Sequence, residues 1–248
     1  MKIEKLAALG AALMLAGCVT GGERVAFHAT GPNQQSMVRD GRPALASRQK
    51  NSIVLVGPAA RELQAGGRPV FVVGINNIGK TPIDFRMDQI QVSQIVGGQE
   101  YPMRVVTYEM LAQEEKNRQV AAAIFAGVAA GANAYGASRA GYGSYTTPSG
   151  RTGTFYSPTA AVIAQNNAAI QNEAMISATI EQGRANMAAL ERGVIKDNTL
   201  MPGEWYGGQL HLSPPVNPPS GNTKSYTIVI TIGTDRHVIE VAQAPVGA

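Results

Sequence analysis

Between residues 108 and 200 the period-two alternation of β-strands stops, and it returns only after a long helix-favouring stretch. A strand repeats its faces every two residues and a helix every 3.6, so one segment cannot satisfy both. The chain is therefore predicted to build a β body and to carry a helical module as an insertion in it. The first helical stretch runs from Glu109 to about Ala140, opening on "EMLAQEEKNRQ" and continuing as "VAAAIFAGVAAGANAYGASRAG". The second runs from about Thr159 to Val194, with Ile176, Ile180, Met187, Leu190 and Val194 at spacings of three and four and Gly183 among them. Two such helices joined by a loop make a hairpin about 50 Å long.

The first helix carries small residues every four positions. Ala123, Gly127 and Gly131 form one row, and Ala122, Ala126, Ala130 and Ala134 the neighbouring one. Rows of this kind let helix backbones approach closely, as in glycine zippers. Ala123, Gly127, Gly131, Ala130 and Ala134 are the candidate helix-packing or oligomerisation residues. The row serves self-packing against the second helix, assembly with a partner helix, or membrane insertion. Residues 120–138 carry no charge, enough length to span a bilayer. Their strongly apolar members, Val120, Ile124, Phe125 and Val128, supply only roughly −2 kcal/mol toward insertion. Insertion therefore requires an oligomer that buries Asn133. The connecting loop, with Tyr142, Tyr145, Phe155 and Tyr156 amid Gly, Ser and Thr, is the candidate recognition loop, with low-complexity disorder as the competing reading.

Strand signals flank the insertion: "SIVLVGP", "RPVFVVGINN", "PIDFRMDQIQVSQI" and "EYPMRVVTY" before it, and "GEWYGGQLHLS", "KSYTIVITIG" and "RHVIEVAQA" after it. Residues 51–107 plus 201–245 thus carry about seven strands in about 100 residues, the size of an immunoglobulin-like antiparallel β-sandwich. The fold class is α+β, with residues 108–200 as the inserted Ala/Gly-rich helical hairpin.

One motif competes with this reading. "GINNIGKT", residues 74–81, matches the phosphate-cradling G-x-x-x-x-G-K-[ST] pattern letter for letter. A P-loop needs a helix to begin at its final residues. Here Pro82 follows Thr81, and Ile83, Phe85 and Met87 alternate with Asp84, Arg86 and Asp88. That pattern continues as a strand, so the match is expected to be a hairpin turn, with Asn76, Asn77 and Gly79 able to take positive φ.

Catalytic constellations are sparse. His28, His211 and His237 lie far apart without metal-ligand spacing, and no metal or other cofactor is expected. Glu114 and Glu115 read as a solvated pair near a helix start, and Asp84 and Asp88 as a polar strand face. Trp205 and Tyr206 read as core or edge packing rather than as a platform. Net charge is +4, with the basic residues scattered, so neither nucleic acid nor nucleotide is an expected partner.

The N-terminus gives the strongest single motif. Lys2 and Lys5 precede an apolar run from Leu6 to Ala16, too short to span as a permanent helix and shaped as a secretory signal. It ends in Leu15-Ala16-Gly17-Cys18, and Cys18 is the only cysteine. These residues resemble the lipobox of bacterial lipoproteins. The resemblance implies that residues 1–17 are a signal peptide removed before Cys18, and that Cys18 carries acyl chains, palmitate among them. Val19 stands where an Asp commonly retains family members at the inner membrane. The implied location is therefore the periplasmic face of the outer membrane. Residues 18–50, rich in Gly, Ser, Gln, Arg and Pro, read as the lipidated cysteine and a flexible tether with a reach of about 30 Å.

Together these readings predict a non-catalytic structural or interaction subunit of an envelope assembly, not an enzyme, whose partners are the membrane through its anchor and itself or other envelope proteins. The alternatives are a membrane-active oligomer that inserts its glycine-zipper helices and, third, an envelope hydrolase.

Overall fold

In a computed structural model of the chain, the structure describes residues 22–216 and 223–246. The fold is α+β: antiparallel strands in several sheets, plus two long helices. The chain divides into two units, residues 108–193 and the remainder.

The β unit contains fourteen strand segments among its described residues. Before the helices come β1 (Gly22–His28), β2 (Gln34–Arg39), β3 (Arg42–Arg48), β4 (Ser52–Pro58), β5 (Leu63–Gln64), β6 (Val70–Asn77), β7 (Ile83–Phe85), β8 (Ile90–Val96), β9 (Gln99–Met103) and β10 (Val105–Val106). After them come β13 (Asn198–Leu200), β14 (Trp205–Leu212), β15 (Lys224–Ile232) and β16 (Asp235–Pro245). Twelve of these form two six-stranded sheets, ordered β5-β1-β16-β15-β8-β9 and β10-β14-β6-β4-β3-β2. Strands β7 and β13 pair separately.

The two sheets share one core. The inward row of β15, Tyr226, Ile228, Ile230 and Ile232, is fully buried and meets Phe71, Val73 and Ile75 of β6 and Val54 and Val56 of β4 in one cluster. Strands β1 and β16 of the first sheet lie against β3 and β4 of the second. Burial alternates along β15 as its sequence demands, with Thr227 and Thr231 half-buried on the opposite face.

Residues 22–48 are not a tether. They form β1, β2 and β3, and enter both sheets. Strand β1 buries Glu23, Val25 and Phe27 and exposes Arg24, Ala26 and His28. Glu23 can face inward because Lys224 Nζ reaches both its carboxylate oxygens, at 2.9 and 2.8 Å, and Gln243 donates to it as well. Strands β2 and β3 join through Asp40-Gly41, both at positive φ (52° and 72°), the conformation of the tight turn that fits the strand twist. Gly97-Gly98 joins β8 to β9 in the same way, at φ 60° and 83°.

No helix follows "GINNIGKT"; Gly74–Asn77 ends β6 and a bend leads to β7. The bend is not a hairpin, because β6 pairs with β4 and β14 while β7 pairs with β13. Nor does it use positive φ at Asn76, Asn77 or Gly79. The buried Asn77 side chain holds it instead, donating to Thr81 O and Leu200 O at 2.9 Å each and accepting from Gly79 N at 2.9 Å.

The second unit is an αα-hairpin of α1 (Tyr108–Arg139) and α2 (Pro158–Gly193), bridged by the strands β11 (Tyr142–Thr146) and β12 (Thr152–Tyr156). The face of α1 toward α2 runs through Glu115, Gln119, Ala122, Ala126 and Ala130, and that of α2 through Ala161, Ala168, Asn172, Met175, Thr179, Gly183 and Asn186. The α2 seam departs from the expected one at two places: Ile176 and Ile180 are exposed, with Met175 and Thr179 turned inward, while Gly183 is buried and Met187 and Leu190 are half-buried as the spacing predicts. Side chains this small bury little apolar area, and hydrogen bonds add the register. Glu115, only 1% exposed, accepts from Arg118, from Gln119 at 3.1 Å and from Asn186 at 3.1 Å. It is not the solvated residue its sequence context suggests. Gln119 also donates to Gly183 O at 3.1 Å. Toward the other end Asn133 donates to Asn172 at 2.9 Å, and Asn172 to Ala130 O at 3.2 Å.

Replacing Glu115 by Ala strands buried donors of Gln119 and Asn186, a change expected to cost about 2–3 kcal/mol. Hydrogen exchange of the full chain should show faster opening of α1 and α2 with protection of β15 and β16 unchanged.

Candidate interaction surfaces

The two small-residue rows of α1 have different fates. Ala126 is buried and Ala122 and Ala130 are half-buried against α2, whereas Ala134 is exposed. The row Ala123, Gly127, Gly131 points away: a Cβ added at Gly127 or Gly131 would meet nothing within 4 Å. Self-packing thus consumes one row and leaves the other open. Around the open row stand Val120, Ile124 and Val128, exposed at 61, 62 and 68%. A groove of about 640 Å³ beside it is lined by Val120 and Ala123 of α1 and Ile180 and Met187 of α2.

Among the described residues α1 is the one helix long and apolar enough to cross a membrane, with an 18-residue window of mean hydropathy 1.4 of which 6% is buried. Charge separates along the hairpin. Glu109, Glu114, Glu115, Lys116 and Arg118 open α1, after which the next charge is Arg139; α2 has none before Glu173. Residues 119–138 of α1 and 158–172 of α2 are therefore uncharged, with Arg139 and Arg151 standing at the tip, and Asn133 within the uncharged stretch donates to Asn172.

The tip loop is an ordered ribbon. Its register pairs Tyr142 with Tyr156, Gly143 with Phe155 and Tyr145 with Gly153. Tyr142 and Tyr156 share one face with ring centroids 4.9 Å apart. On the other face Phe155 lies over Gly143 and Tyr145 over Gly153, so closely that a Cβ on either glycine would collide with the ring. Glycine opposite an aromatic ring is a cross-strand pairing that fixes register in flat ribbons. All four aromatics remain more than half exposed.

In the β unit the sequence hides one constellation. Ser52 Oγ lies 2.9 Å from His237 Nε2 and donates to Asp235 Oδ2 at 2.8 Å, while His237 Nδ1 lies 3.0 Å from Ser47 Oγ. The residue types match a hydrolytic triad, but the polarity is reversed. Ser52 has one proton and gives it to Asp235, so His237 Nε2 donates to the hydroxyl instead of accepting from it. Ser52 and His237 have no exposed surface. With Ser47 the trio joins β3 and β4 of one sheet to β16 of the other. Burial lowers the His237 pKa from 6.5 to about 4, outweighing the opposing pull of Asp235.

The remaining polar candidates do not converge. Asp84 accepts from Thr199 at 2.7 Å and Asp88 pairs with Arg86 at 2.6 Å. Among the described residues no three His, Cys, Asp or Glu side chains could hold a metal ion. Cys18 lies outside the described residues. Trp205, expected in packing, is 55% exposed and leans over Gly74 on the outer face of the second sheet. Tyr206 does pack inward, 6.3 Å from the Phe85 ring, and its hydroxyl accepts from Lys196 N at 2.9 Å. Comparison with protein-family models, with curated proteins and with solved structures gives no match to this chain. Function therefore has to be argued from the surfaces themselves.

The neutral buried His237 has a pH consequence. Above pH 6.5 both folded and unfolded histidine are neutral and the full stability is present. Between pH 6.5 and about 4 only the unfolded histidine takes a proton, so stability falls as pH falls through this window. The loss is on the order of 3 kcal/mol. Urea unfolding followed by the single Trp205 should show it, and His237→Gln should flatten that part of the profile; an identical slope in the variant would refute the assignment.

Proposed function

We propose that this chain is a lipoprotein, anchored through Cys18 at the periplasmic face of the outer membrane, and that it serves as a non-catalytic interaction subunit of an envelope assembly. The sandwich is its rigid body, an immunoglobulin-like arrangement in the loose sense of two antiparallel sheets over one core. The helical hairpin is its assembly surface, meeting a second copy or another envelope protein. The observation that carries this reading is the open row Ala123–Gly127–Gly131, flanked by exposed Val120, Ile124 and Val128. Large apolar side chains around a small-residue row supply contact area while the glycines permit close backbone approach. The aromatics of the tip ribbon, Tyr142, Tyr145, Phe155 and Tyr156, extend the contact surface. No nucleotide, nucleic acid or cofactor enters this reading.

One observation favours a second reading, in which assembled hairpins enter the bilayer. Residues 119–138 of α1 and 158–172 of α2 carry no charge, and α1 has the length and hydropathy of a span. Asn133 is already paired, which removes part of the insertion cost.

The double substitution Gly127→Leu/Gly131→Leu separates these roles. Neither side chain meets a neighbour in the hairpin, and each change raises helix propensity by about 0.5–1 kcal/mol. The variant should fold at least as stably as the parent. In intact cells its crosslinks to itself or to envelope proteins should disappear; an unchanged crosslink pattern would remove the row from the assembly surface. Leakage of liposomes and detergent-resistant oligomers of the parent would select the membrane-inserting reading.

A further inference from the structure

The order of residues 22–48 changes what an anchor at Cys18 would do. A tether of some thirty residues would hold the body away from the bilayer, beyond the reach of surface charge. The described chain instead enters β1 at Gly22, four residues after Cys18. Four residues span at most about 14 Å, comparable to the screening length of about 8 Å at physiological salt. The end of the sandwich that contains Gly22 must then lie against the headgroups.

That end is basic. Gly22 pairs with Gln64 of β5, and the loop before β5 brings Arg61 and Glu62 beside it. Glu62 pairs with Arg24 at 3.5 Å, with both side chains largely exposed. A Cβ on Gly41 would lie 3.5 Å from the Arg61 guanidinium, so the Asp40-Gly41 turn sits at the same end. The turn is flanked by Arg39 and Arg42, which pair across it. Arg42 donates to Ala59 O at 2.9 Å. Four arginines, Arg24, Arg39, Arg42 and Arg61, thus stand with two carboxylates, Asp40 and Glu62. The nearby Glu23 and Lys224 are buried and neutralise each other. Val38, 76% exposed beside Arg39, and Val246, bonded through its N–H to Gly22 O, add apolar side chains at the same level.

We propose that this arginine-rich end of the sandwich docks on the anionic phospholipid headgroups of the bilayer that holds Cys18. The inference rests on the lipoprotein reading for its orientation, and on charge complementarity for its partner. Guanidinium groups bind phosphate through paired donors, and each basic residue near an anionic surface strengthens binding about fivefold. Docking would fix the direction in which the β unit leaves the membrane, which a lipid on a flexible linker does not do.

The test uses the chain from position 18 onward with Cys18→Ser, which keeps every described residue and removes the lipid. Flotation with phosphatidylcholine vesicles is compared with and without phosphatidylglycerol. Binding should require the anionic lipid and weaken with salt. Arg39→Gln/Arg61→Gln should lower it about thirtyfold, and Arg39→Lys/Arg61→Lys should restore most of it. The opposite end of the sandwich also carries basic residues, so Lys50→Gln/Lys80→Gln is the control for unspecific charge and should bind as the parent does. Absence of lipid-dependent binding, or equal loss in the two Gln pairs, overturns the proposal. Palmitate labelling of the full chain, with and without Cys18→Ser, tests the anchor separately, so either idea can fail alone.

Discussion

The inward row of β15 is the feature on which the sandwich depends. Tyr226, Ile228, Ile230 and Ile232 meet the inner faces of β4 and β6, and strands on both sides of β15 complete its backbone hydrogen bonds. A central strand paired along both edges and covered on its inner face has little freedom of register, because a one-residue slip would turn every isoleucine outward. The polar groups at the two ends of the core conform to it. Glu23–Lys224–Gln243 closes one end and Ser47–Ser52–Asp235–His237 crosses between the sheets toward the other. Buried groups of this kind add directional ties where they find partners, as Glu23, Ser52 and His237 do.

The hairpin follows a different logic. Its helices touch through alanine, glycine and amide side chains, so the interface is close but poor in apolar area. Hydrogen bonds centred on Glu115 and Asn172 supply the register that large side chains would otherwise provide. Its larger apolar side chains, from Val120 to Val128 on α1 and Ile163 to Ile180 on α2, are turned outward. A module that spends its small residues internally and displays its large ones is suited to contacts outside itself, which is the physical content of the assembly reading.

The limits of reading the strands were also physical. Alternation in β15 was legible because its inward row is apolar, whereas in β16 Asp235, His237 and Gln243 share the inward row with Ile239 and Val241. In β1 the same alternation is present, but its first inward residue is Glu23, whose partner Lys224 lies 201 residues away; a charged residue at a core position is invisible as such until its partner is known. The Asp40-Gly41 turn was a legible hairpin signal between β2 and β3, masked by strands of mixed composition. Glu115 misled for the reason Glu23 did. The buried Ser52–His237–Asp235 trio joins the start of β4 to the start of β16, 183 residues away, and had no local signal, whereas the exposed aromatics of the tip ribbon were visible as a cluster because they are close in sequence.

The sequence by itself determined the two periodicities, the position of the helical insertion, the small-residue rows of α1 and the Cys18 motif. These are local properties, set by side-chain size, backbone freedom and spacing. Only the tertiary structure decided which small-residue row is consumed, that residues 22–48 belong to the sheets, that His237 is sealed and neutral, and that arginines of β1, of the β2–β3 turn and of the loop before β5 meet at one end. Each of those depends on contacts between residues far apart in the chain, and burial and charge pairing across such distances are not encoded in any short stretch.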